Sequence, residues 1–276
     1  MTRNAHQKEV AATDRHYFRS DGLNLSYLDA GGDGREIIGL HSHWMEGSTF
    51  SKVADLLYPE FRVVALDQRG HGYSDHASSY RREDYISDLS TLYDHLGLRR
   101  GAVLLGNSLG GVNAYQFAAR YPDRVSALII EDIGVVISED TSFVLKWKGT
   151  FQTREELENR IGPRLAPYLR DSVREVPGGW RLAFDPEEML ESQNFVNGDH
   201  WKDWLASYSP ALILRGRDSR LTSQEHLEQM ASRRLNTQLF TLDGGHVIHE
   251  DNPSEFAKVV RTFLASAYAN DSLRVQ

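Results

Sequence analysis

The sequence contains no cysteine, and that absence removes disulfides, thiol nucleophiles and thiolate-bound metals together. It has no run of about 18 apolar residues of the kind that crosses a bilayer. Its first residues, Met1-Thr2-Arg3-Asn4-Ala5-His6-Gln7-Lys8, lack the apolar stretch of a secretion signal. A soluble, cytoplasmic protein without a membrane partner is therefore expected. There is no basic run and no patch of Arg or Lys interleaved with aromatics, and the formal net charge is −8. Nothing is present to neutralise a phosphate backbone, so nucleic acid is not an expected partner. What the chain does have is length and apolar content: 276 residues, 40% hydrophobic, are enough for one large α/β core with a modest insertion.

The chain is organised around Leu104-Leu105-Gly106-Asn107-Ser108-Leu109-Gly110-Gly111. Ala102 to Leu105 is continuously apolar, as in a strand buried on both faces of a parallel sheet. Val112, Tyr115 and Ala119 then recur at helical spacing until Tyr121-Pro122 ends the pattern. Strand, sharp turn and helix meet at Ser108. Gly106 and Gly110 fit a turn where strand and helix approach too closely for side chains. The helix behind Ser108 aims its first amides at any negative charge forming there.

Elsewhere, strands are expected at 16–19 and 23–28, joined by an Asp21-Gly22 turn, and at 36–40, 62–66, 125–130, 211–214 and 238–242. Tyr85, Leu89, Leu92, Tyr93 and Leu96 mark one face of a helix leading to the strand before Ser108. A final helix opens with Asn252 as its cap, Pro253 and Glu255. Residues 1–14 are polar and expected to be frayed, and the tail from Asn270 is expected to be disordered. Residues 138–206 break the strand–helix rhythm with charge, aromatics, Gly162-Pro163 and Pro177-Gly178-Gly179, and are expected to form several short helices. That divides the chain into a core of residues 1–137 and 207–276 and a helical cap, 138–206, over the carboxyl ends of the strands, where open α/β sheets bind ligands.

The G-x-S-x-G stretch in this context resembles the nucleophile elbow of the α/β-hydrolase superfamily. Three other segments share the resemblance: His41-Ser42-His43, with Ser42 where relatives commonly carry Gly; Asp67-Gln68-Arg69-Gly70-His71-Gly72-Tyr73-Ser74; and Gly244-Gly245-His246. The resemblance implies a mostly parallel sheet of about eight strands flanked by helices. It also implies Ser108 as nucleophile, His246 as base, and the amides of His43 and Leu109 as oxyanion donors. Asp67 and His71 are assigned to loop packing, and His249 to the approach of the last helix. Trp44 and Met45, beside the oxyanion segment, are expected to narrow the acyl side of a substrate pocket.

The acid has two candidates. Most relatives carry it as G-x-x-D, but Gly216 counted forward by three reaches Ser219, and Asp218 stands one residue early. A minority branch resembling the haloalkane dehalogenases takes its acid from the strand directly after the nucleophile helix, where Asp132 precedes Ile133-Gly134. Asp132 is preferred and Asp218 stays as the alternative. His41-x-His43 has the look of a metal pair, but no carboxylate stands at ligand spacing, and neither metal nor cofactor is expected. The implied activity is hydrolysis of a small carboxylic ester or lactone. Carbon–carbon bond hydrolysis, cofactor-free perhydrolysis and a ligand-receptor role use the same residues and stand as alternatives.

Overall fold

The computed structural model describes residues 14–98 and 101–272; the expectation for the N-terminal segment therefore falls, apart from Asp14, outside the described residues. A hairpin of β1 (Asp14–Ser20) and β2 (Leu23–Asp29) opens the fold. Its turn residues Asp21 and Gly22 both have positive φ, 46° and 80°, as a two-residue turn between twisted strands requires. There follow β3 (Arg35–Leu40), α1 (Ser51–Leu57), β4 (Phe61–Leu66), α2 (Arg82–His95), β5 (Ala102–Asn107), α3 (Leu109–Arg120) and β6 (Val125–Glu131).

Between β6 and the next strand of the main sheet the rhythm stops. This insertion holds β7 (Val136–Ile137), α4 (Arg154–Ile161), β8 (Val173–Val176), β9 (Gly179–Leu182), α5 (Pro186–Val196), β10 (Gly198–Asp199) and α6 (Trp201–Ala206). The all-helical expectation is corrected here. β7 pairs with β10 at the root of the insertion, and β8 and β9 form an antiparallel hairpin. Pro177-Gly178-Gly179 is the hairpin's turn, with φ of 94° and 138° at the two glycines, rather than a break between helices. Strands of two to four residues are too short to leave a period in the sequence.

The main sheet resumes with β11 (Ala211–Gly216), α7 (Gln224–Arg233) and β12 (Thr237–Leu242), and the chain closes with α8 (Ile248–Asp251) and α9 (Pro253–Ser272). The Asn252 side chain caps α9 by accepting from the Glu255 amide at 3.4 Å, and the helix continues past Asn270 to Ser272. Strand order is β1-β2-β4-β3-β5-β6-β11-β12, parallel from β4 to β12 and antiparallel over the first two strands.

The continuous apolar runs are explained by burial on both faces. Ile38, Leu104, Leu128, Ile130 and Ile213 pack beneath α2 and α3, while the alternate residues Ile37, Val103, Leu105, Ile129 and Leu212 pack beneath α1 and α9. Each such side chain contributes roughly 1.5–3 kcal/mol of hydrophobic stabilisation. This double layer fixes the carboxyl ends of β3, β5, β6 and β12, from which the site residues emerge. The insertion is tied down over those ends at several points, among them Glu188 and Ser192 of α5 and the stretch 168–174. The Tyr168 hydroxyl donates to Asp251 at 2.7 Å, Arg170 to Glu250 at 2.8 Å, and Arg174 to Glu46, while Ser48 donates to Asp171 at 3.0 Å.

Candidate active site

Ser108 sits between β5 and α3 with φ 53° and ψ −114°, a conformation rare for any residue but glycine. The strain persists because the neighbours leave no alternative. A Cβ on Gly106 would lie 2.2 Å from the Gly110 carbonyl oxygen, and one on Gly110 would lie 1.9 Å from that of Leu40. The strand and helix can meet this closely only with glycine at both positions. The Ser108 amide donates to the Glu131 carbonyl at 3.2 Å, and Leu109 is the first residue of α3.

Asp132 follows β6, also at positive φ (51°), and is fully buried. Its carboxylate accepts from the Gly216 amide at 3.0 Å, from the Ser219 hydroxyl, and from His246 Nδ1 at 2.8 Å. With Nδ1 donating to the carboxylate, Nε2 is left as the ring's acceptor. His246 is 23% exposed, and its backbone carbonyl accepts from Asn107 Nδ2 at 2.9 Å, so the residue before the serine holds the loop that carries the histidine. Asp218, the alternative acid, is not brought to His246. It is exposed, its amide donates to the Gly244 carbonyl at 3.0 Å, and its side chain lies on the cavity wall. The count from Gly216 explains why: the position three residues on is Ser219, and that hydroxyl reaches into the site to bind Asp132.

His43 and Trp44 follow β3. The His43 ring is buried, with Nε2 2.9 Å from the Ser192 hydroxyl of α5, which is 2.8 Å from the Tyr85 hydroxyl. Trp44 has φ 72°, and its indole lies edge-on to Phe143 and Trp147, at centroid distances of 5.7 and 5.5 Å. Met45 departs from expectation. It is buried and does not line the cavity, because the backbone reverses at Trp44 and the Met45 amide turns back onto the Ser42 carbonyl at 3.4 Å. Asp67 binds the Gly47 amide at 2.7 Å and the Tyr73 amide at 3.1 Å, fixing the end of the His41–Gly47 segment.

Ser108, His43, Trp44 and His246 face a cavity of about 820 Å³ whose opposite wall comes from the insertion, including Phe143, Ile161, Leu165 and Gln193. A cleft of similar size, about 890 Å³, lies at the other end of the sheet and contains none of these four. Sequence reasoning missed Ser219, Asn107 and Gln193; only Ser219 carries a signal, its spacing from Gly216. Among the described residues no group of three or more His, Asp or Glu side chains is placed to hold a metal ion, and no helix is long and apolar enough to cross a membrane.

His41 and His43 of the His41–Gly47 segment pack against His71, with the His41 and His71 rings edge-on at 4.9 Å. Burial lowers the pKa of His41 to about 4 and holds His43 and His71 well below the usual histidine value. Burial has the opposite effect on Glu46, raising it to about 7 against the pull of Arg174 and Arg15. The signs give a prediction. The histidines add stability that is present above pH 6.5 and lost as pH falls toward 4, because the unfolded chain binds protons that the fold excludes. Glu46 adds stability present below pH 4.5 and lost as pH rises through 7. A melting series from about pH 5 to 7 should show Tm rising with pH, because the three histidines outnumber the groups of opposite sign, Glu46 and the His76 that its bond to Glu188 holds above the usual histidine value. Glu46→Gln should steepen that rise by removing one opposing proton. A shallower slope in the variant would contradict this reading of Glu46.

A sequence model of the alpha/beta hydrolase family matches residues 31–259. The 2-(acetamidomethylene)succinate hydrolase of Mesorhizobium japonicum is 26% identical over 248 residues, covering 84% of this chain and 89% of its own. The crystal structure of E-2-(acetamidomethylene)succinate hydrolase superposes with a TM-score of 0.82 at 24% identity, over 92% of this chain and 100% of that one. A marine microorganism esterase superposes with a TM-score of 0.78 at 25% identity, over 87% and 98%.

Proposed function

The chain belongs to the α/β-hydrolase family, and from that premise we propose that it is a serine hydrolase of carboxylic esters or lactones acting through Ser108, His246 and Asp132. The observation that carries the reading is the 2.8 Å bond between Asp132 and His246 Nδ1, on the same cavity as a serine held in a strained turn. A serine hydroxyl needs a base to become a nucleophile near neutral pH, and the base needs a fixed tautomer. Asp132 supplies the second requirement.

In the reaction, Ser108 Oγ attacks the substrate carbonyl while His246 Nε2 takes its proton. The developing oxyanion is met by the amides of His43 and Leu109, with the start of α3 adding its dipole. The tetrahedral adduct collapses, and His246 returns the proton to the leaving alcohol. With a lactone, that hydroxyl stays attached to the acyl group. Water, activated by His246, then releases the acid and restores Ser108. The cap of residues 138–206 closes the substrate side, and Trp44 with Phe143 gives that wall an aromatic character.

Serine also bears on the alternatives. Dehalogenation and epoxide opening run through an alkyl ester on a nucleophilic carboxylate; the corresponding serine ether would not hydrolyse. A relative named as a hydrolase and a solved esterase agree with acyl transfer. The test is a panel of short-chain esters, aryl esters and lactones with pre-steady-state sampling. Multiple turnovers with an initial burst on an activated ester are expected. A single stoichiometric turnover throughout would favour the receptor role, and turnover of vinylogous diketones alone would favour carbon–carbon cleavage.

A further inference from the structure

Next to the Asp132–His246 pair lies a second carboxylate–histidine pair that the mechanism above does not use. Glu131 and His249 are both fully buried. The Glu131 carboxylate accepts from His249 Nδ1 at 2.7 Å and from the His249 amide at 2.9 Å, and His249 Nε2 lies 2.7 Å from the Thr49 hydroxyl. The His249 ring stacks on Phe50 at 4.5 Å.

These contacts join every segment that delivers a site residue. Glu131 is the last residue of β6 and adjoins Asp132. Its backbone carbonyl accepts from the Ser108 amide at 3.2 Å and from Asn107 Nδ2 at 3.3 Å, and Asn107 Nδ2 also holds the His246 carbonyl. His249 is one helical turn beyond His246, and Thr49 lies two residues past Gly47, where the segment carrying His43 ends. Two consecutive residues therefore grip the His246 loop at two points, Asp132 at the catalytic ring and Glu131 at the first turn of α8. A single hydrogen bond leaves an imidazole free to swing about it. A second anchor three residues along removes that freedom.

We propose that Glu131, His249 and Thr49 form a positioning bridge that sets His246 and the His43 segment relative to Ser108. A buried carboxylate–histidine pair is weak evidence for a stabilising role, since desolvation offsets most of its attraction. Geometry is what this pair supplies: the loops meet at two bonded residues, the Ser108 turn at the Glu131 backbone carbonyl, the start of α8 at the Glu131 carboxylate, and the His43 segment, through Thr49, at the His249 ring. The proposal rests on the Ser108–His246 reading, and its test separates the two.

The measured quantity is the rate at which a fluorophosphonate labels the full-length protein, together with kcat and KM on 4-nitrophenyl acetate. Glu131→Met should lower the labelling rate and kcat by about 10- to 100-fold at nearly unchanged KM, the scale of a misplaced catalytic group. Glu131→Gln, which keeps an oxygen for the His249 amide, should recover most of the loss. If Glu131→Met does not fold, Thr49→Val removes the far end of the bridge alone; it should lower kcat by roughly three- to tenfold, and Thr49→Ser should restore it. A folded Glu131→Met or Thr49→Val protein with wild-type labelling and kcat overturns the bridge, as does a loss of melting temperature without a fall in kcat. Wild-type protein that takes no label overturns the Ser108 reading and the bridge with it; labelling that Ser108→Ala abolishes but Glu131→Met leaves unchanged overturns the bridge alone.

Discussion

Ser108→Ala should abolish ester turnover and fluorophosphonate labelling while the protein stays folded. The loss follows from the division of labour in the site. Without Oγ the proposed acyl-enzyme cannot form, and the two amides proposed as oxyanion donors, together with His246, can only polarise a carbonyl toward water. In well-characterised serine hydrolases, removal of the nucleophile costs on the order of 10⁶ in turnover, about 8 kcal/mol of barrier. The fold should be indifferent. Ser108 makes no side-chain capping bond to α3, and alanine is no worse than serine at a φ of 53°. Melting temperature should therefore move little, and intact-mass analysis should show the phosphonate adduct on the wild type only. A variant that still takes the label would place the nucleophile elsewhere.

The residues that build the sheet are legible in the sequence because their surroundings are symmetric. Ile37-Ile38, Leu104-Leu105 and Ile129-Ile130 are apolar without alternation, and each pair supplies one side chain to each face of the core. The nucleophile turn is legible for a related reason. Gly106 is forced by the backbone of Gly110 four residues on, so that part of the constraint is written locally, while Gly110 is forced by Leu40 of the neighbouring strand β3. The choice of acid is legible only by counting, Ser219 standing where the count from Gly216 ends. Three features were out of reach. The β8–β9 hairpin has four residues per strand and no period. The sequence places Met45 on the cavity beside Trp44, but the positive φ at Trp44 turns the next side chain inward, and no residue type announces a positive φ at tryptophan. By sequence His249 is a helix-approach residue, and it does lie in α8, just before α9, but its partners Glu131 and Thr49 are 118 and 200 residues away. Nothing local could connect them.

Asp132→Asn should cripple the enzyme and Asp218→Asn should not. The carboxylate of Asp132 accepts three hydrogen bonds at once, from the Gly216 amide, the Ser219 hydroxyl and His246 Nδ1. An amide offers one acceptor oxygen and one donor nitrogen. The Gly216 amide can only donate, so the oxygen must stay there and the NH₂ group must face Ser219 and His246. The hydroxyl can rotate to accept. The imidazole can accept only by moving its proton to Nε2, where it faces Ser108 and blocks the transfer that activates the nucleophile. The imidazolium that should form during attack also loses its negative partner. In the serine-protease template this substitution costs about 10⁴ in turnover, about 5 kcal/mol of barrier, and the same order is expected here with KM little changed. Asp218 is exposed, and the bond that fixes its place comes from its backbone amide, which an asparagine keeps. Its charge reaches Ser108 only through solvent and the open cavity, where screening leaves an effect within about tenfold. Measuring kcat for both variants on one activated ester decides the matter, and a crippled Asp218→Asn beside an active Asp132→Asn would transfer the acid's role to the turn after β11.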